Sequence, residues 1–471
     1  MTPEEFRRHG HALIDWIADY RAHQEERPVR ARSAPGEVRA RLPQRPPESP
    51  EPFESVIADL DTLIVPGLTL WQHPRFFGYF PANGLYASVL GDLVSTGLGV
   101  LGLAWQASPA LTELEELVTD WLRQMVGLSA GWRGVIQDTA SSSTLVALLS
   151  ARERSSGYAL ARGGLQEPHA PLRIYTSAQS HSSVGKAALL AGFGREHVRL
   201  VPHDAAYAMR ADALDAAVRA DRAAGYQPCA VVATTGTTAS TALDPIGALA
   251  AVAAEHGLWL HVDAAMAGSA MILPECRWMW EGIERADSLV LNPHKWLGAS
   301  FDCSVYYVRD VEHLVRVMST RPSYLQTAAD GEVTNYRDWG LPLGRRFRAL
   351  KLWFLIREQG VSGLQARLRR DLSNAQWLAA QARATPGWRV LAPVPLQTVC
   401  LRHEPAGLEG ETLDAHTLAW VERLNGSGLA YVTPAVLDGR WMARVSVGTE
   451  GTEHRHVAEL WAAMQAEAAA G

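Results

Sequence analysis

The chain has little of what several classes of protein need. Only four of its 471 residues are cysteines and no two form a CxxC pair, which argues against a disulfide framework and against a zinc site. The net charge is -6, so there is no basic excess for binding nucleic acid. No signal peptide is visible, and the longest apolar stretch, 85–105, is interrupted by Asp92 and rich in glycine. We therefore expect a cytoplasmic protein that binds neither nucleic acid nor a membrane.

Lysine is also scarce. The chain has 44 lysines and arginines together, and only Lys186, Lys295 and Lys351 are lysines. Arginine carries the remaining positive charge, and a cluster such as Arg345–Arg346 is interpreted as part of a solvated helix face. A lysine can do what an arginine cannot, which is to lose its proton and attack a carbonyl carbon. A lysine at the edge of a sheet is therefore a candidate for covalent chemistry in this chain.

The sequence pattern changes twice along the chain, which predicts three parts. Residues 1–84 are predicted to form an N-terminal helical arm that must pack on a larger body or on a second subunit. Residues 85–358 alternate short apolar runs with helical patterns, which predicts a large α/β domain with a mostly parallel seven-stranded sheet flanked by helices. Its last helix is expected over 345–359. Residues 359–471 predict a small C-terminal α+β domain, with strands over 388–394 and 398–402 and a hairpin around Asp438–Gly439.

The strand candidates of the large domain are followed by polar side chains. The seven candidates cover 134–136, 173–176, 198–201, 230–234, 259–262, 288–291 and 303–308. In open parallel sheets, ligands bind beyond the carboxyl ends of the strands. At these ends the sequence has the hydroxyl residues of 139–144, then His181, Thr238, Asp263, Asn292, His294 and Lys295. We expect this set to gather at one edge of the sheet.

One cofactor, pyridoxal phosphate (PLP), requires such a set. A partly desolvated lysine forms a Schiff base, and an acid such as Asp263 can pair with a protonated ring nitrogen. Hydroxyl residues at a helix start can hold a phosphate dianion together with the helix N–H groups. His181 offers a flat ring to lie over a planar cofactor. Each residue has a simpler interpretation as a surface lysine, a loop cap, a helix cap or a core histidine, but the combination favours the cofactor.

Several stretches together match one known family. They are 73–81 (HPRFFGYFP), 105–110 (WQASPA), 261–265 (HVDAA), 292–296 (NPHKW), 301–304 (FDCS) and 342–348 (PLGRRFR). On these the chain resembles the group II PLP-dependent decarboxylases, specifically the aromatic-L-amino-acid decarboxylases, over nearly its whole length. The resemblance implies a fold-type I PLP-dependent transferase, a PLP cofactor, no metal, and a homodimer with shared active sites.

The resemblance also implies roles for individual residues. Lys295 would bind the cofactor aldehyde, Asp263 would pair with the pyridine nitrogen, and His181 and Ala265 would lie on opposite faces of the ring. The phosphate would be held by Thr139, Ala140, Ser141, Asn292 and His294, and Thr238 would lie near the ring hydroxyl. The substrate would be bound by Trp71, Tyr79, Phe80, Pro81, Gly344 and Arg444, with Val100, Leu101 and Leu103 from the partner subunit.

The expected reaction is the conversion of an aromatic L-amino acid to its amine and carbon dioxide. Tyr324, within the aperiodic stretch 320–337, is the candidate acid that protonates the substrate Cα, and this stretch is a candidate lid. In the resembling family, tyrosine here and histidine at 181 accompany decarboxylation, whereas phenylalanine at the tyrosine position marks aldehyde synthases. The alternatives are an aldehyde synthase of the same fold and a catalytically silent binding protein.

Some positions depart from the family pattern. Asp138 stands where glycine is common, Met266 where tyrosine is common in animal enzymes, and Leu103 replaces an aromatic pocket residue. Gly344 matches the version that accompanies indole substrates in plant relatives. The sequence therefore favours tryptophan slightly over phenylalanine, tyrosine and dihydroxyphenylalanine.

Overall fold

A computed structural model provides the structure of the protein and describes residues 1–159, 162–166, 170–320, 329 and 331–470. The strands are β1 (Phe76–Phe77), β2 (Arg133–Gln137), β3 (Leu172–Ser177), β4 (Val198–Val201), β5 (Gln227–Thr234), β6 (Trp259–Asp263), β7 (Ser288–Leu291), β8 (Ser304–Val308), β9 (Trp388–Val390), β10 (Thr398–His403), β11 (Tyr431–Leu437) and β12 (Arg440–Ser446). The α-helices are α1 (Pro3–Ala22), α2 (Glu37–Arg41), α3 (Phe53–Asp59), α4 (Tyr86–Leu98), α5 (Pro109–Met125), α6 (Ala140–Ser155), α7 (Ser183–Leu190), α8 (Ala211–Ala223), α9 (Ile246–His256), α10 (Val311–Met318), α11 (Ala349–Ala384), α12 (Gly410–Ser427) and α13 (His454–Ala469).

The described chain divides into two compact units. The first unit comprises residues 1–81, 374–390 and 399–471, and the second comprises 82–373 and 391–398. The predicted three-part division, with boundaries after residues 84 and 358, stays a prediction. In the described part of the chain, no helix is both long enough and apolar enough to cross a membrane.

The second unit contains the seven-stranded sheet that the sequence predicts. The strand order is β2-β8-β7-β6-β5-β3-β4, and β8 runs antiparallel to both of its neighbours while the other pairs are parallel. Every residue of β6, β7 and β8 is buried, as expected for strands covered on both faces. The core includes Val146 of α6, Val184 of α7 and Leu314 of α10, which pack with strand residues. The predicted fold class and all seven strand candidates are confirmed.

The first unit contains a five-stranded sheet in the order β1-β11-β12-β10-β9, with Thr398 at the start of β10 assigned to the second unit. The predicted hairpin is formed by β11 and β12, and the two turn residues Asp438 and Gly439 both have positive φ, 49° and 73°. Such a turn matches the twist of the flanking strands. In the N-terminal arm, α1 packs on α3, where the rings of His9 and Phe53 have centroids 4.8 Å apart.

Three sequence predictions need correction. The helix predicted from residue 345 begins at Ala349 and contains a kink at Gly360, where φ is 63°. Arg345 is therefore not on a solvated helix face: it is buried and forms an ion pair with the fully buried Glu115 of α5. A buried carboxylate needs a cationic partner, and the cluster Arg345–Arg346 supplies it. The strand predicted over 388–394 ends at Val390.

Candidate active site

The start of α6 forms an anion cradle at the carboxyl end of β2. Thr139 is the N-cap of α6, and Ala140 and Ser141 follow it in the first turn. The N–H groups of a first helical turn have no partner within the helix, so they point outward as donors. Ala140 shares a buried apolar cluster with Ala265 and Val290, which brings the helix start together with the residue after β6 and with β7.

Asn292 adds a further donor beside this cradle. The hydroxyl of Ser304 donates to Asn292 Oδ1 at 2.7 Å, so the Asn292 amide nitrogen is the part of the side chain that can donate to a ligand. Ser304 is also the residue that pairs with Gln137 at the end of β2. The antiparallel β8 thus connects Asn292 to the strand that precedes the cradle.

His294 is held as a neutral donor. The Cys303 N–H donates to His294 Nδ1 at 2.9 Å, so the ring proton of the neutral form lies on Nε2. Burial first, and then the charge of Lys295, lowers the pKa of His294 to about 3 although Asp302 acts in the opposite direction. The imidazole therefore carries no charge at physiological pH and contributes a hydrogen-bond donor instead.

Lys295 and Asp263 follow adjacent parallel strands. Asp263 ends β6, and its Oδ1 accepts the N–H of Ala265 at 3.0 Å. Lys295 lies in the short π-helical turn after β7, where its N–H donates to the Asn292 carbonyl at 3.0 Å. The Lys295 carbonyl accepts the side-chain N–H of Asn83 at 3.4 Å. The backbone on both sides of the lysine is therefore anchored, which fixes where its side chain begins.

His181 lies close enough to Lys295 and Asp263 to interact with both electrostatically. Its Nδ1 accepts the Ser183 hydroxyl at 2.8 Å and the Ser183 N–H at 3.1 Å, which leaves the ring proton on Nε2. The side chain is partly open to solvent. Desolvation by the surrounding protein lowers the pKa of His181, the Lys295 charge lowers it further, and Asp263 opposes both. A neutral ring with a fixed tautomer results.

Thr238 and Gly344, two other predicted residues of the second unit, are exposed. Thr238 lies in the otherwise largely buried turn after β5, and its proximity to the cofactor ring stays a prediction. Gly344 lies in an exposed loop, with no heavy atom within 4 Å of the point that a Cβ would occupy. Its neighbour Arg345 accepts the Gly102 N–H at 2.9 Å through its carbonyl. This bond connects the segment that contains Val100, Leu101 and Leu103 to the segment that contains Gly344.

The first unit brings four of the predicted substrate residues together. The rings of Trp71 and Tyr79 stack with centroids 5.1 Å apart. Arg444 donates to the Tyr79 carbonyl, and its guanidinium carbon lies 4.3 Å from the centroid of the Phe80 ring. Burial lowers the pKa of Arg444 to about 10. Pro81, which is buried, directly follows Phe80.

Tyr431 is a member of this aromatic cluster that sequence reasoning missed. Its hydroxyl lies 3.3 Å from the Tyr79 hydroxyl, and its ring centroid is 6.0 Å from that of Tyr79. It begins β11, which pairs with the strand that contains Arg444, with Thr433 opposite Arg444. The hairpin predicted around Asp438–Gly439 was the available signal, because it pairs β11, which Tyr431 begins, with the strand that contains Arg444. Tyr324, the candidate acid, lies outside the described residues.

The residues at the edge of the large sheet fit pyridoxal phosphate. Asn292, the neutral His294 and the first turn of α6 offer uncharged donors to a phosphate, and the helix dipole favours its charge. The apolar cluster of Ala140, Ala265 and Val290 offers a surface for a ring. Lys295 supplies an amine and Asp263 a carboxylate. Together with the sheet, these features define a PLP-dependent enzyme of fold-type I.

Comparisons with known proteins agree with this assignment. A family profile described as "Pyridoxal-dependent decarboxylase conserved domain" matches residues 35–404. A tyrosine decarboxylase of Papaver somniferum is 38% identical over 490 residues, which cover 99% of this chain and 94% of that protein. A tryptophan decarboxylase of Camptotheca acuminata is 40% identical over 475 residues, which cover 98% of this chain and 94% of that protein. The crystal structure of Oryza sativa TDC with PLP and tryptamine has a TM-score of 0.96 and 37% identity, covering 100% of this chain and 99% of that chain.

The chain therefore belongs to the pyridoxal-dependent decarboxylase family, in its aromatic-L-amino-acid group, and its cofactor is pyridoxal 5'-phosphate. This confirms the family that the sequence motifs implied. A phenylacetaldehyde synthase of Arabidopsis thaliana is also 38% identical, over 481 residues that cover 99% of this chain and 96% of that protein. Overall identity thus does not separate the two reactions, and individual residues must.

Proposed function

We propose that this protein decarboxylates an aromatic L-amino acid to the corresponding amine and carbon dioxide. The observation that carries the proposal is the position of Asp263 and Lys295 at the carboxyl ends of two adjacent parallel strands, near the start of α6 with its uncharged donors. Within this family, that arrangement holds a cofactor with its reactive aldehyde at the lysine. Bound PLP supplies the electron sink that accepts the electron pair left by carbon dioxide.

The residues of the chain hold and orient the cofactor. Lys295 Nζ would bind its aldehyde, and Asp263 would keep the ring nitrogen protonated, because a carboxylate beside a pyridinium stabilises the charged form. Ala265 would support one face of the ring. The phosphate would be held by the N–H groups of Ala140 and Ser141, by the Thr139 hydroxyl, and by the neutral donors of Asn292 and His294.

His181 would lie over the other ring face, and its lowered pKa keeps it neutral, so it would add no charge that repels the cation at the ring nitrogen. Thr238 is proposed to bond near the ring hydroxyl. Tyr324 is proposed to donate its phenolic proton to the substrate Cα after carbon dioxide has left. Its identity as tyrosine, with histidine at 181, favours decarboxylation over the aldehyde synthase reaction.

The aromatic substrate class rests on the aromatic cluster of the first unit as well as on the relatives. Trp71, Tyr79 and Phe80 offer flat apolar surfaces, and Arg444 offers a buried cation among them. Pro81 is proposed to complete the binding of the side chain, together with Val100, Leu101 and Leu103 of the partner subunit. We propose tryptophan as the preferred substrate, because Gly344 leaves open space that an indole needs more than a phenol does.

The protein is proposed to act as a homodimer. In α4 the buried residues are the small Ser88, Gly91 and Ser95, whereas large apolar side chains on the same helix face solvent. The exposed residues of this apolar face are Tyr86, Leu90, Leu93, Val94, Leu98 and, just beyond the helix, Leu101. Exposed apolar patches of this kind mark association surfaces, and a second copy of the chain would place Leu101 in its partner's site. Light scattering should give twice the chain mass, and a fully active monomer would contradict the proposal.

A cytoplasmic location is proposed as well. All four cysteines are buried and none of them is in a disulfide bond, which fits a reducing compartment. Cell fractionation with an antibody tests it: recovery in the soluble cytoplasmic fraction is expected, and recovery in a secreted fraction would contradict it.

The reaction is tested by incubating the pure, PLP-loaded protein with tryptophan, phenylalanine, tyrosine and dihydroxyphenylalanine while amine, aldehyde and peroxide are assayed together. Amine without peroxide is expected, with tryptamine formed fastest. Aldehyde with peroxide would assign the protein to the synthases. Absence of every product, with PLP bound, would favour the silent binding protein.

A further inference from the structure

A carboxylate stands directly beside the phosphate cradle. Asp138 lies between the end of β2 and Thr139, the N-cap of α6. Its Oδ1 accepts the Thr139 N–H at 2.7 Å, and its side chain is exposed. A negative charge therefore occupies the residue immediately before the three residues proposed to hold the cofactor phosphate.

The Asp138 carboxylate and a phosphate dianion are both stabilised by the N-terminus of α6. The positive end of the α6 dipole and the N–H groups near it favour any anion at this place. Asp138 already takes one N–H donor there. The remaining partners that the cradle offers are uncharged, since Asn292 is an amide and His294 a neutral imidazole held by the Cys303 N–H. The two anions thus compete for one dipole, and they repel each other.

We propose that Asp138 acts as a resident anion of the cradle, which weakens the binding of phosphate-bearing cofactor and makes that binding depend on ionic strength. The inference rests on the proposed role of Thr139, Ala140 and Ser141 as the phosphate site. Without cofactor, the Asp138 carboxylate accepts the Thr139 N–H and stands at the positive end of the α6 dipole, which stabilises the helix start. With cofactor, the same charge opposes the phosphate. Asp138 thus lowers the affinity of the protein for PLP.

A purely structural role makes the opposite prediction. If Asp138 only stabilised the start of α6, removing its charge would loosen the cradle, and PLP would bind less tightly. If it acts as a competing anion, removing its charge strengthens PLP binding. The substitution Asp138→Asn separates the two, because the amide oxygen still accepts the Thr139 N–H while the charge is lost.

The experiment is a titration of cofactor-free protein with PLP, followed by the visible absorption band and by protein fluorescence. The matched control is Glu312→Gln, which removes an exposed carboxylate from the first turn of another helix of the second unit, α10. Pyridoxal, which has no phosphate, serves as the second probe. Folding of each variant is checked by its thermal unfolding midpoint.

We expect Asp138→Asn to lower the Kd for PLP by about 3–10-fold at low ionic strength. The gain should shrink below about 2-fold near 1 M salt, where screening acts over roughly 3 Å. The Kd for pyridoxal should not change, and Glu312→Gln should leave both values unchanged. An unchanged or weaker PLP affinity in Asp138→Asn, or an equal gain for pyridoxal, would overturn the proposal.

These readouts are independent of the proposed reaction. If Asp138→Asn binds PLP more tightly but the loaded wild-type protein forms no amine, the inference stands and the proposed function fails. If amine forms and the Kd does not change, the proposed function stands and the role of Asp138 is rejected.

Discussion

The cofactor site of the second unit and the aromatic cluster of the first unit are built in different ways. In the second unit, Asp263 and Lys295 follow consecutive strands, and the sheet topology alone brings them to one edge. In the first unit, Arg444 contacts the carbonyl of Tyr79, a residue 365 positions away in sequence. The first arrangement follows from local sequence and a general rule about parallel sheets. The second depends on long-range packing that no local pattern encodes.

This difference separates two kinds of function. Residues at strand ends are held rigidly and suit a cofactor whose chemistry tolerates little displacement. The aromatic cluster combines a loop segment with a hairpin, and such segments vary more readily between relatives. We therefore expect changes in the second unit to affect cofactor chemistry and changes in the first unit to affect substrate affinity.

The largest effect should follow from removing the lysine. Lys295→Ala should lower kcat on the order of 10³-fold or more, because the amine proposed to bind the cofactor aldehyde is lost. The visible band of the bound cofactor should shift or disappear, while thermal stability changes little. Lys186→Ala, which removes another of the three lysines, is the control and should retain full activity. Normal turnover by Lys295→Ala would contradict the role of the second unit in cofactor chemistry.

The second-largest effect should follow from removing the Asp263 carboxylate. Asp263→Asn removes the charge proposed to keep the ring nitrogen protonated, and we expect kcat to fall about 10²–10³-fold. Asp263→Glu, which keeps the charge, should recover part of the activity. Steady-state kinetics with saturating PLP measures both. If Asn and Glu variants lost activity equally, charge would not be the property that matters.

The position of Lys295 and Asp263 at the edge of the sheet was predictable from the sequence, and the position of other residues was not. Each of the two stands at the end of an apolar run, and lysine is rare in this chain. Arg345 was misassigned to a solvated face because its partner Glu115 is 230 residues away. The buried Asp371 that accepts the Trp296 indole N–H at 2.9 Å was missed for the same reason. Sequence patterns report what a strand or helix does locally, whereas a buried ion pair exists only after the chain has folded.

In the first unit, Arg444→Leu should raise KM for the aromatic substrate about 10-fold while the Kd for PLP stays within about 2-fold. The change also leaves the Tyr79 carbonyl without this donor, so the free energy of unfolding should fall by about 1–3 kcal/mol. Arg444→Lys should restore part of the affinity. A large change in PLP binding with no change in KM would contradict the division of roles between the two regions.

A fall in pH should destabilise both units in the same way, through one buried histidine in each. Burial lowers the pKa of His73 in the first unit to about 4 and that of His294 in the second to about 3. The unfolded chain takes up protons on these groups as pH falls below about 6.5, and the folded chain does not, so stability is complete above pH 6.5 and is lost as pH falls.

Between pH 6.5 and 5, each histidine should reduce the free energy of unfolding by about 2 kcal/mol, measured by denaturant titration. His73→Asn and His294→Asn should each flatten this pH dependence, whereas exposed His11→Asn should not. Identical slopes in all four proteins would show that these two histidines do not control it.

The smallest effect is expected at Gly344. Gly344→Ser places a side chain in open space, so stability should stay within about 0.5 kcal/mol. The ratio of kcat/KM for tryptophan to that for tyrosine should fall about 3–10-fold, because the added side chain would occupy part of the space proposed for the larger indole ring. Competition between the two substrates in one reaction measures this ratio directly, and an unchanged ratio would exclude Gly344 as a determinant of specificity.

The most direct test of the account is to trap the cofactor on the protein. The PLP-loaded protein is reduced with borohydride and digested, and the peptides are analysed by mass spectrometry. Because the chain has only three lysines, the result is unambiguous. A phosphopyridoxyl group is expected on Lys295 alone, and it should be lost when an aromatic amino acid is added before reduction. Modification at Lys186 or Lys351, or none at Lys295, would contradict it.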